Sequence, residues 1–155
     1  MGENVEMLQD STFNIALLAA LTAFLLAQGL KLIITGVTLR KIDFRRLVGS
    51  GGMPSSHAAG VTALTLSIGL TEGWNSAVFA VAAVFATIVI FDSTGVRRAA
   101  GKQAAALNAI VDDIYHHKYR PEKLHELIGH TPVEVFAGIL LGLMVSGLWW
   151  LLATF

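Results

Sequence analysis

Four stretches of the chain are almost continuously apolar, and the polar positions between them fall into two blocks. Phe13 to Gly36 is broken chiefly by Asn14, Gln28 and Lys31. Ala58 to Leu70 is shorter and rich in Ala, Thr and Gly; Trp74 to Ile90 is nearly uninterrupted; Val133 to Phe155 ends in Trp149, Trp150 and Phe155. A helix needs about 20 residues to cross the hydrocarbon core. The first and fourth stretches meet that length, and the third approaches it as 74–92. The second reaches it only as 57–72, thinned or sheltered by its neighbours. The pattern predicts an all-α, polytopic membrane helix bundle of about four spans, near 13–36, 57–72, 74–92 and 133–154, in one domain covering 1–155. The connecting segments are 37–56 and 93–131. A soluble chain of this size has too little interior to hide four such apolar faces.

Within 93–131 the periodicity changes. Leu107, Ile110, Val111 and Ile114 recur at helical spacing, with Asn108, Asp112 and Asp113 on other faces. This predicts an amphipathic helix from Lys102 to about His116, lying against the spans or the membrane surface. A break follows over Tyr115–Pro121, then a short helix over 122–128 closed by Gly129.

Composition and charge add direction. The chain is 54% hydrophobic and 14% charged, with a formal net charge of zero, so nothing points to nucleic acid. There are no cysteines, which excludes thiol nucleophiles, disulfides and thiolate metal sites. The N-terminal tail is acidic and does not read as a signal peptide. All 11 Lys and Arg fall in two places: Lys31 to Arg46, and Arg97 to Lys123. By the positive-inside rule both basic segments are cytoplasmic and both termini lie outside, with Trp74 and Trp149–Trp150 at the opposite interface. The expected location is the cell (inner) membrane, multi-pass.

Three clusters carry candidate chemistry, and this topology puts all of them on one side. The first is Gly51-Gly52-Met53-Pro54-Ser55-Ser56-His57, before the second span. A glycine-rich loop entering a helix offers unpaired N–H groups and a partial positive charge to a phosphate oxyanion. Ser55 and Ser56 add hydroxyls, and His57 exchanges protons near pH 7. Ordinary capping by Ser is the competing reading. The second cluster is Asp92, Arg97, Arg98, Lys102, Gln103 and Asn108. The arginines suit bidentate phosphate contacts; the bland alternative is anchoring to lipid headgroups. The third runs from Glu126 to Glu134. Thr131-Pro132-Val133-Glu134 is a capping box, which gives Glu134 a structural role. The same carboxylate, reaching back to His130, would orient a nucleophile or base. His116, His117 and His125 read as solvated.

These motifs resemble the type 2 phosphatidic acid phosphatase superfamily, which also includes vanadium haloperoxidases. The whole chain, from about residue 13 to 150, looks like its small divergent, acid phosphatase/haloperoxidase-related branch. Lys31 and Arg40 loosely match the first motif of the superfamily. Pro54-Ser55-Ser56-His57 matches the second, with Ser for Gly. His130 and Glu134 match the end of the third, with Glu for Asp. Phe91 to Arg98 and Leu127 to Pro132 look typical of the divergent branch. The third motif's Arg, six residues before the His, is replaced by Leu124, and Arg97 or Arg98 is expected to supply that charge.

The resemblance implies a phosphatase acting through a phosphohistidine without metal or other cofactor. His130 is then the nucleophile oriented by Glu134, and His57 the general acid. Lys31, Arg40, Ser55, Ser56, Arg97 and Arg98 hold the phosphate, with Asp92, Gln103 and Asn108 in support. The implied substrate is a lipid phosphate or prenyl (di)phosphate whose tail stays in the bilayer, and a homodimer is one possible assembly. The main rival is a non-catalytic protein that binds anionic lipid or scaffolds a partner through the same basic pocket; the missing third-motif Arg favours it. A transporter or channel subunit would need more polar groups deep in the spans. A metal site of His57, His130, Asp92 and Glu134 has the residue types but no close ligand spacing.

Overall fold

The computed structural model describes residues 14–40, 52–114, 124 and 129–154. Among them the regular structure is entirely helical: α1 (Ile15–Leu39), α2 (Ser56–Thr71), α3 (Ala77–Thr94), α4 (Val96–Ile114) and α5 (Pro132–Thr154). Polar caps set three of the starts. Asn14 Oδ1 accepts from Leu17 N at 2.9 Å, Ser55 Oγ from Ala58 N at 3.3 Å, and Ser76 Oγ from Phe79 N at 3.1 Å. α1 stops where Arg40 turns into the left-handed region, at φ 50°.

Among the described residues three helical segments are long and apolar enough to cross a membrane: Ile15–Thr38, Ala77–Ile114 and Pro132–Thr154. α2, at 16 residues, rises about 24 Å and is shorter. It compensates by position, packing against α1, α3 and α5, while α3 and α5 scarcely meet. The bundle is therefore organised around its shortest helix.

Small residues make that packing close. In lipid there is little hydrophobic drive between helices, so association relies on backbones approaching through Gly, Ala and Ser. α1 contributes Ala16, Ala19, Ala23 and Ala27, and α2 contributes Ala59 and Ala63, all buried. α5 answers with Gly138, Gly142 and Ser146. A Cβ on Gly142 would stand 2.5 Å from the Ala59 carbonyl oxygen. One turn on, Ser67 and Ser146 share a buried hydrogen bond of 2.8 Å. The large apolar side chains, such as Leu25, Ile33, Val81, Phe91 and Leu152, point outward.

The main departure from the sequence pattern is α4, which begins at Val96 rather than near Lys102. Gly95 alone makes the corner after α3, and Arg97–Ala100 favour helix once it is made. The expected break at Tyr115–Pro121 and the short helix over 122–128 lie outside the described residues, apart from Leu124. So do His116, His117 and His125.

Candidate functional site

The same alanine stripe that packs α1 leads into the site. Residues 16, 19, 23 and 27 share one face, and one turn later that face carries Lys31. Lys31 is accordingly almost fully buried, at 2% exposure. The loop before α2 closes over its stem. Gly52 adopts φ +87°, and a Cβ there would sit 3.3 Å from Lys31 Cγ. A glycine permits both the backbone angle and the approach. The loop continues through a cis Met53–Pro54 peptide to Ser55 and Ser56, both buried.

α2 and α5 begin side by side. Ser55 N donates to the Glu134 carbonyl at 3.0 Å, so the two N-termini are tied together. The capping box is formed: Thr131 N donates to Glu134 Oε2 at 3.0 Å, and Glu134 N to Thr131 Oγ1 at 3.3 Å. The same Oε2 lies 3.2 Å from His130 Nδ1. Glu134 therefore caps the helix and fixes the imidazole at once. His130 is buried, and its backbone N–H donates to the Ser93 carbonyl at 3.0 Å, pinning it to the end of α3. Burial lowers its pKa below the ordinary 6.5; contact with Glu134 opposes this, and the Lys31 charge adds to it.

His57, in the first turn of α2, meets Phe24 in a T-shaped contact, centroids 5.9 Å apart. It and His130 line one cavity of about 200 Å³, together with Ile88, Val89, Asp92, Ser93 and Arg97. Arg97 reaches back across the Gly95 corner, Nε 2.5 Å from Asp92 Oδ2. Lys31, Arg97 and His130 all act electrostatically on His57. Two imidazoles and Arg97 thus meet on one cavity, and Lys31, though not on its wall, acts electrostatically on both histidines.

Not every candidate arrives there. Arg40 caps α1 with an exposed side chain, and Arg98 and Gln103 are exposed on α4; none of the three lines the cavity. Ser55 spends its hydroxyl on capping α2. Asn108 is buried away from the cavity, where its amide holds both backbone groups of Leu124: Nδ2 to the carbonyl at 2.9 Å, and Leu124 N to Oδ1 at 3.0 Å. It ties Leu124 to α4. Among the described residues no three His, Asp or Glu side chains converge as a metal site.

Sequence reasoning missed the supports: Ser93, Ile88, Val89 and the packing role of Gly129. Gly129 has φ +118°, and its missing Cβ would strike the Arg97–Arg98 backbone at under 3.0 Å. Its place directly before His130 was the available signal. Gly129→Ala is expected to push His130 off its Ser93 anchor. Thermal unfolding in detergent should show a loss of about 1–3 kcal/mol, accompanied by loss of whatever chemistry His130 performs.

Comparison with known proteins gives two matches. The family profile described as "Divergent PAP2 family" matches residues 12–145. The "Uncharacterized membrane protein YuiD" of Bacillus subtilis (strain 168) is 43% identical over 145 residues, covering 86% of this chain and 92% of the relative. No solved structure matches.

Proposed function

The chain belongs to the Divergent PAP2 family, and on that premise we propose that it is a membrane-embedded phosphatase releasing phosphate from a lipid phosphate or prenyl (di)phosphate. The observation that carries this reading is the meeting of His57 and His130, 73 residues apart in the sequence, on one cavity with Arg97. A protein that needed only to bind anionic headgroups has no use for a buried, carboxylate-oriented imidazole sharing a cavity with a second one.

In this mechanism Glu134 holds the Nδ1–H tautomer of His130, leaving the Nε2 lone pair to attack phosphorus. The phosphorus–oxygen bond to the lipid breaks, and His57 gives its proton to the departing oxygen. Water, deprotonated by His57, then attacks the phosphohistidine and frees inorganic phosphate. Lys31 and Arg97, with the N–H groups at the start of α2, hold the equatorial oxygens, since positioning and electrostatics dominate phosphoryl transfer. The positive-inside rule supports reading this site as cytoplasmic-facing in the inner membrane, with both termini outside. Arg97 takes the place of the Arg that Leu124 lacks.

Purified protein should hydrolyse phosphatidic acid in mixed micelles, in the presence of a chelator, and vanadate should inhibit it. Phosphatidic acid binding without turnover would instead support the anionic-lipid-binding reading.

The pH dependence has a sign. A nucleophile whose pKa lies below 6.5 is lost as the pH falls through that lowered value. The acidic limb of turnover is therefore expected below pH 6.5. Glu134 raises the His130 pKa, so Glu134→Gln should move the limb further toward acid, while cutting turnover roughly 100-fold or more through loss of orientation. A limb that moves toward neutral pH would contradict this pairing.

A further inference from the structure

A second concavity, of about 270 Å³, lies farther along the bundle toward Trp74, lined by Thr62, Leu66, Ala83, Ala86 and Leu143 among others. It carries no charged residue. The hydroxyl of Thr65, also on its wall, bonds the Val61 and Ala82 carbonyls at 2.8 and 3.2 Å, so that side chain adds no free polarity. α3 lines both: Ile88 and Asp92 flank the histidine cavity, while Phe79, Ala83 and Ala86 on the groove and Val89 and Ser93 on the cavity share one face. These positions recur every three or four residues, the spacing of a single helical stripe. α2 floors both, and because α3 and α5 scarcely meet, the slot between them opens sideways to the bilayer. Its far end is closed by the Trp74 ring, which lies over Gly69 and packs edge-on against Phe79, centroids 5.2 Å apart.

We propose that this slot holds one hydrocarbon chain of the phosphorylated lipid whose headgroup occupies the histidine cavity, and that Trp74 sets the length of chain it accepts. The proposal rests on the reading of that cavity as a phosphate site. From Asp92 to Phe79 the helix rises about 20 Å, more than the roughly 15 Å of one hydrocarbon leaflet, so a chain entering at the headgroup end passes the bilayer midplane along the slot's apolar wall. An ordinary bilayer lipid would also fit the slot, but its position there would not depend on a phosphate.

The test uses full-length His130→Ala protein in nanodiscs, which keeps the probe's phosphate in place. The probes are phosphatidic acid and diacylglycerol carrying the same photoactivatable diazirine at the end of one acyl chain, and cross-linked residues are mapped by mass spectrometry. The proposal expects phosphate-dependent labelling of 62–66 and 79–86. Ala83→Phe, which fills the slot, should abolish it, whereas Val81→Phe, on the outward face of α3, should not. Trp74→Ala should extend labelling to a longer-chain probe. Equal labelling by both probes, or labelling confined to the outward face, overturns the proposal. If the wild-type protein hydrolyses no phosphate ester but labelling is phosphate-dependent, the phosphatase reading fails and the slot stands.

Discussion

Replacing His130 with alanine is expected to abolish phosphate release from lipid phosphates, by about 10⁴-fold or more, while the protein still inserts and purifies as the wild type does. The size follows from the role. A nucleophile that forms the covalent intermediate has no substitute in the pocket, and removing one member of a unit costs nearly the whole of its catalysis. His57→Ala should cost about 10²–10⁴-fold, the usual contribution of a general acid, and less for a substrate with a good leaving group. Arg97 gives the contrast: its side chain is 49% exposed and already paired with Asp92. Exposed charges are screened, so Arg97→Ala should cost far less than loss of either histidine. Phosphate release by thin-layer or colorimetric assay on the three variants would rank them. Equal losses at Arg97 and His130 would mean that binding, and not covalent chemistry, is what the pocket supplies.

The largest effect on stability is expected at Gly142. Its Cβ position is 2.5 Å from the Ala59 carbonyl oxygen and 2.9 Å from Thr62 Cβ, so the obstacle includes backbone and cannot swing away. Overpacking a well-fitted seam costs typically 1–3 kcal/mol, occasionally more, and a leucine there must separate α5 from the central helix. Because marginal stability is only about 5–15 kcal/mol, Gly142→Leu should lower the thermal midpoint sharply or prevent recovery of monodisperse protein. Gly147 supplies the control: it lies on the same helix, but nothing stands within 4 Å of its Cβ position. Gly147→Leu should leave the midpoint nearly unchanged. If both substitutions are tolerated equally, α2 and α5 do not pack as described.

Much of this architecture was legible in the residues because membrane spans and helix caps are local signals. The apolar runs placed α1, α3 and α5 to within a few residues, and T-x-x-E before an apolar run gave both the start of α5 and the reach of Glu134 toward His130. The start of α4 was not legible, since Val96–Gly101 has neither the periodicity of a buried face nor a strong cap, and a single glycine makes the corner. The choice between Arg97 and Arg98 was beyond the sequence as well. Neighbours on a helix point about 100° apart, and only the three-dimensional arrangement shows that Arg97 is the one that meets Asp92. Asn108 and Leu124, 16 residues apart, recognise each other through a side-chain amide and a backbone, a pairing with no sequence pattern. Lys31 lay in between: Ala16, Ala19, Ala23 and Ala27 mark the buried face, and counting one more turn along it reaches the lysine.

The central claim is that the two imidazoles act on one phosphorus atom, with His130 taking it. The most direct measurement is to mix the purified protein with phosphatidic acid labelled in its phosphate, quench within the turnover time under alkaline conditions that preserve phosphoramidates, and map the label by mass spectrometry. The account predicts an acid-labile phosphate on His130 that is absent from His130→Ala. Turnover with the label on another residue, or undiminished turnover in His130→Ala, would contradict it.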